Sequence, residues 1–397
     1  MEHYKKIKLK PKKEQSLKRF HPWVFSGAIA SLDDDIKEGD VVEVYAHDKT
    51  FLGVGHYQVG SIAVRILSFE EKTIDESFFI NRVQEAYQMR QSLGLVRNDN
   101  NTYRLIHGEG DMLAGLIIDI YGGLAIVQAH SVGMHMSKLL IVTALKHVLE
   151  ESLNHIYYKS ESTLPFKAPI NPEDGFLFGE NYELDKIAIE NNLKFQIDWE
   201  KGQKTGFFID QRENRSLLER YSHNRSVLNM FCYTGGFSVY ALRGGAKTVV
   251  GVDSSAKAVM LADQNVKLNF GDDIRYSSSS DDAFKFLRDV PSDAYDLIVL
   301  DPPAFAKHRG AVRNALQGYK KLNLAAFEKV AKGGIVFTFS CSQVISREQF
   351  RLAVFSAAAI SGREVKILHQ LSQPADHPVN IYHPEGEYLK GLVLHVS

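Results

Sequence analysis

Residues 227–253 read VLNMFCYTGGFSVYALRGGAKTVVGVD. An apolar run, Val227 to Phe231, meets a turn containing Gly235 and Gly236. A helical stretch follows (237–245), and a second apolar run then ends on Asp253. Glycine at a strand-to-helix turn lets backbone approach a ligand, and the helix N-terminus favours polar or anionic groups. A carboxylate about 20 residues past the turn can accept hydrogen bonds from ribose hydroxyls. Dinucleotide enzymes and S-adenosylmethionine enzymes share this pair of features, but the full G-x-G-x-x-G is absent, which counts against NAD.

The same alternation continues outward from about residue 191. Strand-like runs recur at 295–301, 334–340, 364–370 and 389–396, with helical stretches at 255–270 and 323–334. Such alternation predicts an α/β, mostly parallel, doubly wound sheet whose ligand lies beyond the carboxyl ends of the strands. The last two strands lack a long helical crossover, which predicts an antiparallel return at the sheet edge. Before this region, residues 1–70 hold short β-rich pieces (41–46, 50–58, 61–69) expected to form a small barrel or sandwich. Residues 75–190 read as a small mixed α/β module. It has a helix over 76–95 stopped near Gly94, a hairpin over 114–130 turning at Gly122-Gly123, a helix over 134–152, and a Pro/Gly-rich stretch from Pro165 to Gly179.

With 397 residues the chain suits two or three domains. Its apolar share of 44% and charged share of 24% are those of a folded protein in water. No apolar run is long enough to span a membrane, and the first residues have no signal core. Two cysteines without metal-ligand spacing exclude a disulfide scaffold, give no support to a zinc site, and suggest a reducing cytoplasm. Net charge is −1, yet Lys5, Lys6, Lys8, Lys10, Lys12, Lys13, Lys18 and Arg19 crowd the N-terminus against Glu14. Such a run reads either as a solvated, partly mobile terminus or as a phosphate-contacting arm.

The fourth expected strand ends in Asp301, Pro302, Pro303 and, two residues on, Phe305. Asp-Pro-Pro offers one carboxylate on a stiff backbone without N–H donors at the prolines. It can pin a flat heteroaromatic ring and bond its exocyclic edge, or merely terminate a strand. Asp282, at the expected end of the third strand, is placed for an adenine amine or is an ordinary surface acid. Cys341 follows the fifth strand, so it sits at the same sheet edge as Asp301. A thiolate there can attack C6 of a pyrimidine and make C5 nucleophilic, whereas a thiol at a strand end is otherwise inert packing. Cys232, within the turn, reads as a shape residue.

Several blocks resemble, collinearly and over nearly the whole chain, the bacterial and archaeal large-subunit rRNA cytosine-5 methyltransferases with an N-terminal PUA domain. The blocks are RFHPWVFSGAI (19–29), RLIHGEGDMLAGLIIDIYG (104–122), KGQKTGFFIDQRENR (201–215), NMFCYTGGFSVYA (229–241), LDPPAFAK (300–307), GYKKLN (318–323), FTFSCS (337–342), and ADHPV with PEGEYLKG within 375–391. The resemblance implies a PUA domain, a central domain and a class I methyltransferase domain over 191–397. It also implies S-adenosylmethionine as cofactor, rRNA as partner and a homodimer. It makes Cys341 the nucleophile and Asp301 the group holding the flipped cytosine. Phe231, Gly235, Asp253 and Asp282 become cofactor contacts, and Lys204 to Arg212 a lid with Phe208 and Asp210 as its contacts. The segment 157–180 departs from the family pattern. Two rivals remain open: nitrogen methylation of a guanine or adenine on the same fold, which needs no thiol, and a non-catalytic RNA-binding assembly protein.

Overall fold

The basic N-terminal run opens as a strand, Lys5–Leu9, and continues through a turn into the short helix Gln15–Lys18. Ile7 and Leu9 are fully buried while Lys6 is exposed, the period-2 pattern of a half-buried strand. Lys5–Leu9 pairs antiparallel with Ile29–Leu32 and parallel with Val41–Tyr45. The computed structural model, which describes residues 4–165, 170, 172–180 and 186–397, places this strand in a six-stranded sheet with Trp23–Phe25, Phe51–Tyr57 and Ile62–Ser68. Its core is Ile7, Val24, Val42, Val44, Val64 and Ile66.

The chain divides into two compact units. The first takes residues 1–191 together with 197–209 and 375–386; the second takes 192–196, 210–374 and 387–397. Beside the six-stranded sheet, the first unit holds a five-stranded one. In chain order its strands are Thr102–His107, Leu116–Tyr121, Leu124–Ala129, His155–Tyr158 and Gly175–Phe178. The hairpin at Gly122-Gly123 forms as expected, with Tyr121 opposite Leu124. Helices Glu76–Ser92 and Lys138–Leu149 pack together, sharing a core of Phe79, Val83, Leu105, Ile118 and Leu145. The single helix expected over 134–152 is instead two, Val132–Met136 and Lys138–Leu149, divided at Ser137. The Ser137 hydroxyl bonds back to the Gly133 carbonyl at 2.9 Å, a bond that bends helices. Residues 166–169 and 171 of the Pro/Gly-rich stretch lie outside the described residues.

A long-range ion-pair network ties the first unit together. Arg90, fully buried, meets both carboxylate oxygens of Asp111 at 2.6 and 2.8 Å and donates to the Asp376 carbonyl at 3.0 Å. The Arg104 amide donates to the Asp376 carboxylate at 3.0 Å, and the Arg104 guanidinium pairs with Asp119 at 2.7 and 2.9 Å. Thr205 donates to Asp119 at 2.6 Å.

The second unit is a seven-stranded sheet: β1 (Ser226–Met230), β2 (Thr248–Asp253), β3 (Tyr276–Ser280), β4 (Tyr295–Leu300), β5 (Val330–Ser340), β6 (Val365–Leu371) and β7 (Lys390–Val396). The strand order is β3-β2-β1-β4-β5-β7-β6, with β1 to β5 parallel and β7 antiparallel to both neighbours. The antiparallel return is therefore one strand in from the edge, with β6 outside it. Helices α1 (Arg212–Ser222), α2 (Gly236–Arg243), α3 (Ala256–Phe270), α4 (Ala283–Asp289), α5 (Val312–Lys329) and α6 (Arg347–Ser361) complete the unit. The helix expected over 323–334 stops at Lys329. Val330, fully buried, opens β5 opposite Tyr295, and Gly333 takes a left-handed φ of +78° within the strand's irregular start. Among the described residues, no helix is long and apolar enough to cross a membrane.

Candidate functional site

The strand order reverses between β1 and β4, so their carboxyl ends open a crevice. Met230 pairs with Leu300, and Leu300 with Thr338. Parallel register thus delivers Phe231, Asp301 and Cys341 to one edge of the sheet. The Cys341 thiol donates to the Pro302 carbonyl with Sγ 3.8 Å away, so the thiol abuts the Asp-Pro-Pro turn. Ser342, buried, fastens this corner from below. Its hydroxyl accepts from the Ala306 amide at 3.3 Å and lies 3.3 Å from the Tyr319 hydroxyl.

Asp301 is held by a relay from the turn before α1. Gln211 Nε2 donates to its Oδ1 at 3.0 Å, and Asn214 Nδ2 donates to Gln211 Oε1 at 2.6 Å. Burial and the negative charge of Asp210 lift the Asp301 carboxyl to about 7, against the pull of the Gln211 hydrogen bond and the Arg215 charge. Asp210 accepts from the Tyr388 hydroxyl at 2.7 Å through Oδ2, while its Oδ1 is buried without a hydrogen-bond partner among the described residues. Burial, Asp301 and Asp210 together push the Cys341 thiol up to about 12, with Lys390 pulling the other way. The edge therefore holds a thiol that favours its proton beside a carboxyl poised near neutrality. Phe305 is committed on one side: its ring lies 4.7 Å from Tyr319 at 34°, against Gly318 of α5. Pro302 is buried and Pro303 exposed.

The turn after β1 is wound tightly. Phe231, Tyr233 and Gly235 all have left-handed φ, at +59°, +46° and +77°. Left-handed residues alternating along a turn gather N–H groups into a concavity, and strain of this kind concentrates at ligand sites. A Cβ on Gly235 would fall 2.9 Å from the Ala262 Cβ, so the turn presses directly on α3. Asp253 holds the turn: Oδ2 accepts from the Tyr233 amide at 3.0 Å and Oδ1 from the Ser255 amide at 2.9 Å. Asn265 reaches from α3 to the Thr234 carbonyl at 2.9 Å. Asp282, exposed, caps α4 by accepting from the Lys285 amide at 2.8 Å. Cys232 is buried, and burial raises its thiol strongly.

Two family models match the chain, the second of them running across segments of both units. Residues 7–69 match the PUA-like domain, and residues 167–381, over half of the chain, match the S-adenosylmethionine-dependent methyltransferases. The chain belongs to the S-adenosylmethionine-dependent methyltransferase family. A ribosomal RNA large subunit methyltransferase I of Aeromonas hydrophila subsp. hydrophila is 41% identical over 389 residues, covering 96% of this chain and 97% of that protein. A protein of the same name from Alteromonas mediterranea is 38% identical over 393 residues, covering 98% of each. A solved chain from Streptococcus mutans, described as a SAM-dependent methyltransferase, shares the fold with a TM-score of 0.84 at 23% identity, covering 98% of this chain and all of that one. A solved methyltransferase with the same TM-score and coverage is complexed with SAH. The doubly wound α/β sheet and the small β domain before it, both expected from the sequence, are thus the architecture of this methyltransferase.

Its cofactor is S-adenosylmethionine, and the turn after β1 fits that group by its wound backbone and the carboxylate at Asp253. Cys341, Asp301, Pro302, Pro303, Phe305, Phe231, Gly235, Asp253 and Asp282 all belong to the second unit, as does Asp210. Phe208, partly buried, is assigned to the first unit, so the stretch Lys204 to Arg212 is divided after Ile209. Sequence reading missed Gln211, Asn214, Tyr388 and Lys390. All four lay inside quoted blocks, but no local pattern says that Gln211 or Tyr388 reaches an acid.

Proposed function

We propose that this methyltransferase places a methyl group on C5 of a cytosine in large-subunit rRNA. The observation that carries the reading is the contact of the Cys341 thiol with the backbone carbonyl of Pro302, the residue after Asp301, at the switch point of the sheet. The names of the relatives support rRNA as the substrate, and the PUA-like match supports an RNA-holding role for the first residues. A base extruded from its stack can enter such a crevice.

Cys341, after losing its proton to solvent, forms an Sγ–C6 bond. Asp301, protonated for part of the time near neutral pH, gives a hydrogen bond to N3 and draws electron density from C5=C6 into the ring. S-adenosylmethionine, when bound, would supply an electrophilic methyl for the C5 electron pair, its sulfur keeping the electrons of the broken C–S bond as a neutral thioether. Transfer of the C5 proton to water then restores C5=C6 and expels the Cys341 thiolate. Asp253 and the Phe231–Gly235 turn would hold the cofactor, with Pro302 and Phe305 walling the base and Phe208 and Asp282 assigned to the cofactor by resemblance alone. A second reading, nitrogen methylation of a purine, needs no thiolate, and burial with Asp301 and Asp210 beside Cys341 pushes that thiol up. The homodimer implied by resemblance is a matter for sedimentation.

Nucleoside analysis of rRNA separates the readings. Cells lacking the gene should lose one 5-methylcytosine, regained with the wild-type chain and not with Cys341→Ala. Loss of a methylated purine instead, or full rescue by Cys341→Ala, would refute the cytosine reading.

A further inference from the structure

One buried side chain next to Cys341 has no part in the scheme above. Lys390, on β7, is 3% exposed. It lies opposite Ser340 in the antiparallel β5–β7 register, and its Nζ donates to the Ser342 carbonyl at 2.7 Å. Its backbone is thus anchored beside the residue before Cys341 and its ammonium on the residue after. Burying an ammonium is expensive unless a negative charge offsets it. Lys390 makes no ion pair among the described residues, and its acceptor is a neutral carbonyl. Glu387 offsets part of that cost, and an ionised Cys341 would offset more.

We propose that Lys390 is the positioning residue for Cys341: its buried ammonium fixes the Ser340–Ser342 corner and is the counter-charge of the Cys341 thiolate. The proposal rests on Cys341 as nucleophile and deepens that reading. Four titratable groups face the thiol: Asp301 beyond β4, Asp210 in the turn before α1, Tyr319 on α5 and Lys390 on β7. The two acids oppose ionisation and Lys390 favours it. Behind Lys390 stand Glu387 and, on α6, Arg347. Burial brings the lysine down to about 8, with Cys341 and Glu387 raising it and Arg347 lowering it. At neutral pH the lysine is therefore mostly charged. Once a base occupies the hydrogen-bonding edge of Asp301, the ammonium acts on the thiol with less opposition. The thiol proton goes to solvent, and the sulfur and nitrogen are left as an ion pair.

The test is the pH profile of Cys341 alkylation by iodoacetamide in the full chain, with Cys341→Ala as the blank for Cys232. The Asp301→Asn chain is used so that Asp301 does not titrate in the same range. There the rate should rise tenfold per pH unit and then level off near 8. Past that point the thiolate–ammonium pair carries as many protons as the thiol–amine pair, so its share stops changing with pH. Adding Lys390→Met should remove the break and slow alkylation at pH 7 about tenfold or more, the effect of removing an opposite charge that acts on the thiol. Lys390→Arg should restore the pH 7 rate without the break, because arginine keeps its proton. A profile that rises unbroken with Lys390 present overturns the proposal without relying on any Lys390 variant. Equal rates with and without Lys390→Met, in chains that still bind S-adenosylhomocysteine, overturn it too. Alkylation does not depend on turnover. If Cys341→Ala still formed 5-methylcytosine, the nucleophile reading would fail while the measured coupling stood.

Discussion

Gln211→Met isolates the hydrogen bond that steadies Asp301. The methionine keeps the length of the side chain and removes the Nε2 donor that lies 3.0 Å from Asp301 Oδ1. A hydrogen bond to a charged group contributes about 1.5–3 kcal/mol, and one pH unit corresponds to about 1.36 kcal/mol. Asp301 retains some exposure, so solvent screening favours the lower end, about one unit. The bond stabilises the ionised form, so its loss favours the proton. The carboxyl should move from about 7 to roughly 8, away from the ordinary aspartate range. The assay is a carbon-13 NMR titration of labelled aspartate carboxyls, with Asp301→Asn identifying the resonance. Methylation should respond in the same direction, its decline at high pH shifting upward by about one unit. An Asp301 that titrates near 4 in both chains would refute the electrostatic account of the site. A downward shift in the variant would show that the relay from Asn214 through Gln211 does not act on the carboxylate.

Two further outcomes follow from other parts of the molecule. Gly235→Ala must hold alanine at φ +77° with its Cβ 2.9 Å from Ala262; the left-handed conformation alone costs about 1–2 kcal/mol, and S-adenosylhomocysteine affinity by calorimetry should fall at least about tenfold, an unchanged affinity refuting the cradle. Arg90→Met leaves Asp111 buried without its bidentate partner, and urea unfolding should show a loss of about 3–5 kcal/mol, whereas a loss under about 1 kcal/mol would show that the pair is not a structural tie.

What could be read ahead of the structure was local in the chain. The run Val227–Asp253 contains its own strand, turn, helix and strand, and Asp301 and Cys341 each follow a recognisable apolar run, so their meeting at one edge follows from parallel register. The same periodicity was present in the N-terminal run, where Ile7 and Leu9 alternate with lysines, but the charge drew attention away from it. Val330 was hidden because Val330 to Lys332 continues an alanine- and lysine-rich helix without a break in composition. Lys390 was illegible for a different reason. It lies 48 residues from the carbonyl it holds, and only the insertion of β7 between β5 and β6 brings it to Ser342. The division of the stretch 201–215 between two units was likewise invisible, since a boundary between Ile209 and Asp210 has no proline, glycine or charge run to mark it.

The way the first unit borrows residues bears on how the chain is made. Its buried Arg90 and the Arg104 amide both wait for Asp376, which the ribosome adds almost three hundred residues later. Domains usually fold as they emerge, N-terminal first. Here the six-stranded sheet can close early, but the Asp376 end of the arginine network stays open until translation is nearly over. A nascent chain arrested before residue 375 would keep the Arg90–Asp111 and Arg104–Asp119 pairs but lack both Asp376 contacts, and should be the species that chaperones hold and proteases cut.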